Sequence, residues 1–82
     1  MTEREVVEQA RAVLAHRLRV DPSVITSETE IESLGLDSLD LVTLAGEFEE
    51  TFSVGLATKE IMQIRTFGDL TRQLSAKIAA IA

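Results

Sequence analysis

The stretch Gly35-Leu36-Asp37-Ser38-Leu39-Asp40 forms the predicted boundary between a turn and a helix. Asp37 is a good N-cap residue, and the carboxylate of Asp40 adds favourable charge near the positive end of the helix dipole. This arrangement puts one hydroxyl, that of Ser38, at the helix start. A serine there is either a local capping residue or an attachment point that carries a phosphate.

The residues after this boundary predict a helix over 38–52. Its apolar stripe consists of Leu41, Leu44, Ala45, Phe48 and Phe52. Leu39 and Val42 lie outside this stripe, and Gly46 continues their line at helical spacing. Single exposed aliphatic residues are ordinary. Beside an acidic rim and a modified serine, however, they would form a contact for a partner.

The residues before the boundary predict a first helix, Glu3–Leu18, followed by a long loop. Thr2 and Glu5 form a capping box at its start, and Asp21-Pro22 is expected to end it. Its apolar residues at helical spacing are Val6, Val7, Ala10, Val13, Leu14 and Leu18. Residues 19–37 show no sustained period, and a loop this long in a small domain is often functional. The residues expected to hold it on the core are Val24, Ile25, Ile31, Leu34 and Leu36.

Two further helices complete the predicted fold. A short third helix is expected over 59–64, with Thr58 as its N-cap, and Thr66 with Asp69 forms a capping box for the last helix. The residues expected to point inward from the last helix are Phe67, Leu70, Leu74, Ile78 and Ile81. The pattern therefore predicts an all-α fold, a small four-helix bundle of three longer helices and one short third helix.

Length and composition indicate one small domain, residues 1–82, with no cysteine for disulfides or thiolate metal sites. The charged N-terminus does not resemble a signal peptide. No apolar run approaches the roughly 18 residues of a membrane span. We therefore expect a cytoplasmic protein.

The net charge of −6 is concentrated in one part of the chain, residues 21–52, which contain nine acidic residues and no lysine or arginine. A solvated acidic face is the common explanation of such a run. The alternative is a docking surface for proteins with basic patches, which attractive charge steers and orients. Nucleic acid is disfavoured as a partner because its phosphates carry the same sign of charge.

Catalysis by the chain itself has little support in the sequence. A nucleophilic serine needs a base to take its proton, and the only histidine, His16, is expected on the polar face of the first helix. An exposed carboxylate such as that of Asp37 is a weak base for a hydroxyl. The acidic residues show no EF-hand spacing or other metal-ligand pattern. We therefore expect no catalytic residues, no metal site and no enzyme.

The motif Leu34-Gly35-Leu36-Asp37-Ser38-Leu39-Asp40 resembles the attachment motif of acyl carrier proteins, and the resemblance extends over essentially the whole chain. It implies that a phosphopantetheinyl transferase uses coenzyme A to attach a 4′-phosphopantetheine arm to Ser38. The thiol of the arm, which this cysteine-free chain cannot supply, would then carry acyl groups as thioesters in fatty-acid, polyketide or related lipid synthesis.

The resemblance also implies roles for other residues in a monomeric carrier. The partners would be acyl or ketoacyl synthases, acyltransferases and acyl ligases with basic docking patches. The positions where family members contact partners are Asp37, Leu39, Asp40, Val42, Glu49 and Glu50. The acyl chain would be sheltered between the helices by Phe48, Leu56, Ile61 and Ile64.

Several positions depart from the housekeeping members of the family. Those members have a large apolar residue where this chain has Gly46, an acid at Thr43 and a proline at Ala57. The third helix is less acidic here, and the bulky Ile61 and Met62 would reduce or reshape an acyl cavity. These departures indicate a specialised carrier.

Two alternatives remain open at this stage. A carrier of aminoacyl or peptidyl groups, including D-alanyl groups, would use the same arm, although those domains more often have a Gly-Gly-His/Asp-Ser attachment sequence. An unmodified acidic helical adaptor would be equally consistent with composition and periodicity alone.

Overall fold

Four α-helices follow one another along residues 1–81, which are the residues that the computed structural model describes. Their bounds are α1 Glu3–Leu18, α2 Ser38–Phe52, α3 Thr58–Met62 and α4 Phe67–Ile81. Two single 3-10 turns, Pro22–Val24 and Glu32–Leu34, lie in the long loop between α1 and α2. The predicted all-α architecture is confirmed. Ala82, the last residue of the expected domain, lies outside the described residues.

Capping boxes begin the two long helices whose bounds the sequence predicts correctly. The Glu5 amide donates to Thr2 Oγ1 at 3.2 Å, and the Asp40 amide donates to Asp37 Oδ1 at 2.8 Å. In both boxes the acid three residues after the cap accepts the return bond from the N-cap amide. Because these bonds satisfy amides that a helix leaves free at its start, local sequence decides where α1 and α2 begin.

Helix α1 ends at Leu18, as predicted, but Asp21-Pro22 is not what ends it. The helix ends at Leu18 because Arg19 adopts the left-handed conformation, with φ 57°, and its amide donates to the carbonyls of Ala15 and His16. Such a residue closes a helix by satisfying its last carbonyls. Pro22 instead starts the first 3-10 turn.

The short helix α3 is shifted from its predicted position at 59–64, and Thr58 is not its N-cap. Ala57 occupies the cap position, and its amide donates to the Glu60 carboxylate at 3.0 Å. Because the side chain of the third helical residue accepts this bond, the residue at the cap position needs no polar side chain of its own. The sequence prediction looked for a polar side chain at the cap and therefore chose Thr58, one residue too late.

The core is formed by the apolar stripes of α1, α2 and α4, closed by residues of the loops. Its largest fully buried side chains are Phe48, Phe67, Leu14, Ile25, Leu44, Leu70, Leu74 and Val6. Two predicted inward residues are exposed instead, Val24 by 59% and Ile81 by 66%. The neighbouring Ile25 occupies the core in place of Val24. Ile81 lies in the last turn of α4, beyond the turns that pack against the bundle.

The long loop is tied to the start of α4 by backbone hydrogen bonds, which we call the backbone ladder. Ile31 donates to the Arg65 carbonyl at 2.8 Å, Phe67 to Thr29 at 2.8 Å, and Gly68 to Ser27 at 2.9 Å. The loop is therefore an ordered part of the bundle. A glycine is required at position 68, because a Cβ atom there would lie 2.9 Å from the Ser27 carbonyl oxygen.

Candidate functional site

Ser38 is the first residue of α2 and is exposed at the corner where the long loop meets this helix. The second 3-10 turn ends at Gly35, whose φ of 75° favours glycine. The half-buried Leu36 then anchors the chain before Asp37 caps the helix. The corner is thus fixed on both sides of Ser38, while Ser38 itself faces solvent.

The electrostatics at Ser38 combine a favourable helix terminus with two neighbouring acids. Free amides and the helix dipole make the start of α2 suited to an anion such as a phosphate. Asp37 and Asp40 each use a carboxylate oxygen in the capping box, at 2.8 and 3.2 Å from the other residue's amide. The acids therefore hold the geometry of the corner, and they leave its surface negatively charged.

The predicted partner residues lie along the exposed side of α2. At 100° per residue, Leu39, Val42, Glu49 and Glu50 share one face. The exposed fractions of Leu39 and Val42 are 73% and 45%, and both glutamates are exposed. Asp37 and the half-exposed Asp40 lie at the N-terminal end of this face. We call these six residues the α2 face.

A cleft of about 300 Å³ lies beside the Ser38 corner, between the long loop, the start of α2 and α3. Its lining residues are Glu30, Ile31, Glu32, Leu36, Leu41, Ile61, Met62, Ile64 and Arg65. Six of these nine residues are apolar and three are charged. The cleft is therefore a candidate site for an apolar chain attached near Ser38.

The cleft contains only half of the residues that were expected to line an acyl cavity. Ile61 and Ile64 line it, whereas Phe48 and Leu56 are buried in the core and are not among its walls. Sequence reasoning missed Leu36 and Leu41 as lining residues. Their positions two residues before and three after Ser38 were the available signal, but in the sequence they look like ordinary core residues.

The position of α3 beside this cleft depends on Glu60. Its carboxylate accepts hydrogen bonds from the Ala57 amide at 3.0 Å, from Gln73 Nε2 at 2.9 Å and from Lys77 Nζ, with a shortest N–O distance of 2.9 Å. The Lys77 ammonium, followed by the Ala57 amide, holds the pKa of Glu60 below its ordinary value. We call this arrangement the Glu60 clamp.

The single histidine of the chain does not belong to the Ser38 corner. His16 is exposed on α1 and lies in a groove with Glu47, Glu50 and Thr51, toward the C-terminal end of α2 and away from Ser38. Within residues 1–81, no three potential metal ligands form a cluster. None of the helices in the same residues is both long and apolar enough to cross a membrane.

Comparison with known proteins gives the class of this site. Residues 8–74 match the family described as "Phosphopantetheine attachment site". The acyl carrier protein of Thermotoga maritima is 35% identical over 75 residues, which cover 90% of this chain and 93% of that protein. The chain belongs to the acyl carrier protein family.

Solved structures of carriers have the same fold. A crystal structure of an acyl carrier protein from Thermotoga maritima superposes with a TM-score of 0.81 at 24% identity, covering 100% of this chain and 96% of that one. A free-standing peptidyl carrier protein from Acinetobacter baumannii gives 0.80 at 22% identity, covering 93% and 95%. At these identities the similarity shows the fold alone. Proteins named acyl carrier and proteins named peptidyl carrier share this fold.

Membership of the family establishes the general role and the cofactor of this chain. Acyl carrier proteins are carriers and not enzymes, and they work with partner enzymes. The matched domain is the attachment site of 4′-phosphopantetheine in carrier proteins, so this is the cofactor of the chain. Ser38 lies within the matched residues, exposed at the start of α2 beside the cleft.

Proposed function

We propose that Ser38 is the residue that carries the 4′-phosphopantetheine arm. The observation that supports this most directly is the exposure of Ser38 at the first position of α2, beside the cleft. In the attachment reaction, Ser38 Oγ would form a bond to the phosphorus of the phosphopantetheine part of coenzyme A. The pyrophosphate bond of coenzyme A would break, adenosine 3′,5′-bisphosphate would leave, and the hydroxyl proton would pass to the transferase or solvent.

Once attached, the arm would supply a thiol that forms thioesters with acyl groups. The start of α2 would stabilise the phosphate diester, since helix N-termini favour anions. The walls of the cleft, among them Leu36, Leu41, Ile61 and Ile64, would shelter an acyl chain. Each methylene removed from water contributes about 0.8 kcal/mol, which makes such shelter favourable for a chain in transit.

We further propose that the α2 face docks the partner enzymes through weak, charge-steered contacts. The partners would be a phosphopantetheinyl transferase and then synthases, acyltransferases or acyl ligases with basic patches. The setting would be the cytoplasm, with the carrier acting as a monomer of one domain over residues 1–82. The pathway would be fatty-acid, polyketide or related lipid synthesis. The glycine at 46 and the bulky Ile61 and Met62 favour a specialised carrier over the housekeeping one.

An aminoacyl or peptidyl carrier, including a D-alanyl carrier, is the second candidate for the cargo. The shared fold of the peptidyl carrier from Acinetobacter baumannii is compatible with it. The attachment sequence Gly35-Leu36-Asp37-Ser38 and the identity to a protein named acyl carrier protein favour acyl cargo. Family membership disfavours the unmodified adaptor.

The test of the attachment residue is intact-mass measurement after incubation with coenzyme A and a broad-specificity transferase. The wild-type chain should gain one phosphopantetheine, with fragmentation locating it at Ser38. Ser38→Ala should gain none, while the control Ser23→Ala, which removes another exposed hydroxyl in the long loop, should be modified like the wild type. Modification of a folded Ser38→Ala protein would overturn the assignment.

The test of the cargo uses the same measurement on protein from its native cells. An acyl thioester on the arm would support the proposed function, and an aminoacyl thioester would support the second candidate. Competition between acyl and aminoacyl donors for loading in vitro provides the matching kinetic comparison.

A further inference from the structure

The helix α3 is too short to be stable without help from the rest of the bundle. It has five residues, and isolated helices need roughly 12–15 residues to be even marginally stable in water. Its N-cap, Ala57, offers no side-chain bond, and Ile61 is its one buried residue among those described. The position of α3 therefore depends on its contacts with neighbouring elements, above all with α2, and on its polar contacts with α4.

The Glu60 clamp supplies the polar part of this fixation. Gln73 and Lys77 are four residues apart and thus share one face of α4. Both reach the same carboxylate, with N–O distances of 2.9 Å. Glu60 thereby joins the cap of α3 to two successive turns of α4. The side chains of Lys77 and Glu60 are only 27% and 34% exposed, which reduces screening of the pair by solvent.

The residues that follow Glu60 line the cleft. Ile61 and Met62 complete α3, and Ile64 follows in the link to α4. Helix α3 thus connects the clamp on α4 to one wall of the cleft. A displacement of α3 relative to α4 would move Ile61 and Met62, whereas the loop wall of the cleft is held to the start of α4 by the backbone ladder.

We propose that the Glu60 clamp sets the width of the cleft and thereby limits the length of acyl chain that the carrier shelters. This inference rests on the proposed function, since it assumes an acyl chain attached through Ser38. The cleft has a volume of about 300 Å³, which limits how much of an acyl chain it encloses. Acyl chains that exceed this volume fit only if α3 moves, and the Glu60 clamp opposes that movement.

The test compares Lys77→Met with Lys59→Met. Lys77→Met removes one partner of Glu60 but leaves the Ala57 cap intact, whereas Lys59→Met removes the same charge from an exposed position of α3 outside the clamp. In the unmodified protein, hydrogen exchange should be about threefold faster in the α3 amides of Lys77→Met, the factor expected for losing a partly buried ion pair. It should be unchanged in Lys59→Met. Equal hydrogen-exchange rates of the α3 amides in the two variants would overturn the proposed role of the Glu60 clamp.

The second measurement uses carriers loaded on Ser38 with even-numbered chains from butyryl to tetradecanoyl. The gain in melting temperature over the unacylated holo form should level off at a shorter chain in the wild type and Lys59→Met than in Lys77→Met. Identical profiles would overturn the limit on chain length and leave the proposed function intact. Failure of the wild type to load on Ser38 would overturn the proposed function and this role with it, while the exchange experiment would still report on the clamp.

Discussion

Two glycines, one on each side of Ser38 in the sequence, differ in their backbone conformation. Gly46 lies inside α2, and a Cβ atom there would meet nothing within 4 Å apart from its chain neighbours and the backbone of its own helix. Gly35 has similar space but a φ of 75°, which L-residues adopt only with strain. The space around a side chain and the conformation of its backbone therefore decide the effect of a substitution separately.

Substituting alanine at these two glycines should shift stability in opposite directions. Gly46→Ala should raise the free energy of unfolding by about 0.5–1 kcal/mol, because glycine is the poorer residue in a helix interior. Gly35→Ala should lower it by about 1–2 kcal/mol, because alanine is strained in the left-handed region. Urea unfolding of the three proteins measures both. A stabilised Gly35→Ala would contradict the conformation described for the corner.

The residues around Ser38 also show how much of the site the sequence could predict. The capping role of Asp37 depends on residues three positions apart, so a local pattern was sufficient, and the structure confirms it. The walls of the cleft depend on packing between distant segments. Phe48 and Leu36 are both apolar residues at core-like positions, and nothing local indicates that one is central in the core and the other lines the cleft.

At the scale of the element, helix prediction succeeded where local signals were sufficient. The bounds of α1 and α2 follow from capping boxes and apolar stripes, and both are confirmed. The position of α3 follows instead from a carboxylate that reaches back to Ala57 and across to α4. Because the contact with α4 joins residues that are distant in the sequence, periodicity alone could not position this helix.

The pH dependence of stability should reveal the Glu60 clamp. The pKa of Glu60 is lowered from 4.5 by Lys77 and Ala57. A lowered folded-state pKa contributes stability that is fully present above the unfolded value and is lost as the pH falls through the folded value. The melting temperature of the wild type should therefore exceed that of Glu60→Gln at pH 7, and this difference should shrink as the pH is lowered below about 4.5.

Calorimetry of the two proteins from pH 7 to 3 provides the measurement. All other titratable groups are the same in both proteins, so the difference between the two melting temperatures isolates Glu60. A difference that stays constant to pH 3 would show that the charge of Glu60 does not hold α3 in place.

At the scale of the whole molecule, the acidic segment remains largely without cationic partners. Three ion pairs occur within residues 1–81: Arg17 with Glu47, Arg72 with Asp69, and Lys77 with Glu60. Only the first involves the segment 21–52, which contains nine acidic residues. The folded chain therefore concentrates like charges along the long loop and the α2 face.

Screening these charges should stabilise the protein. Repulsion between like charges weakens as salt shortens the screening length to about 10 Å at 0.1 M. The melting temperature should rise as sodium chloride is increased from low ionic strength, and millimolar magnesium should raise it further. The three ion pairs are weakened by the same salt, so an unchanged or lower melting temperature would show that repulsion in the segment is not the larger effect.

The overall arrangement of helices followed from sequence, whereas the structure of the long loop did not. Its lack of periodicity predicted a loop but not the bonds from Ile31 to Arg65 and from Phe67 to Thr29. Backbone bonds between distant segments have no side-chain signature. Gly68 is the one residue whose identity reflects this contact, because only glycine fits beside Ser27.

The backbone ladder also has a consequence for the order of events during synthesis. It joins residues before α2 to residues after α3, so both helices lie inside the segment that the ladder closes. Closing such a segment costs chain entropy and requires both ends to be present. A growing chain exposes Ser38 to the cell before Gly68 has left the ribosome. The loop that leads to Ser38 therefore acquires its final shape only after the residues through Gly68 have emerged, and a transferase that recognises this shape would modify the carrier only after that point.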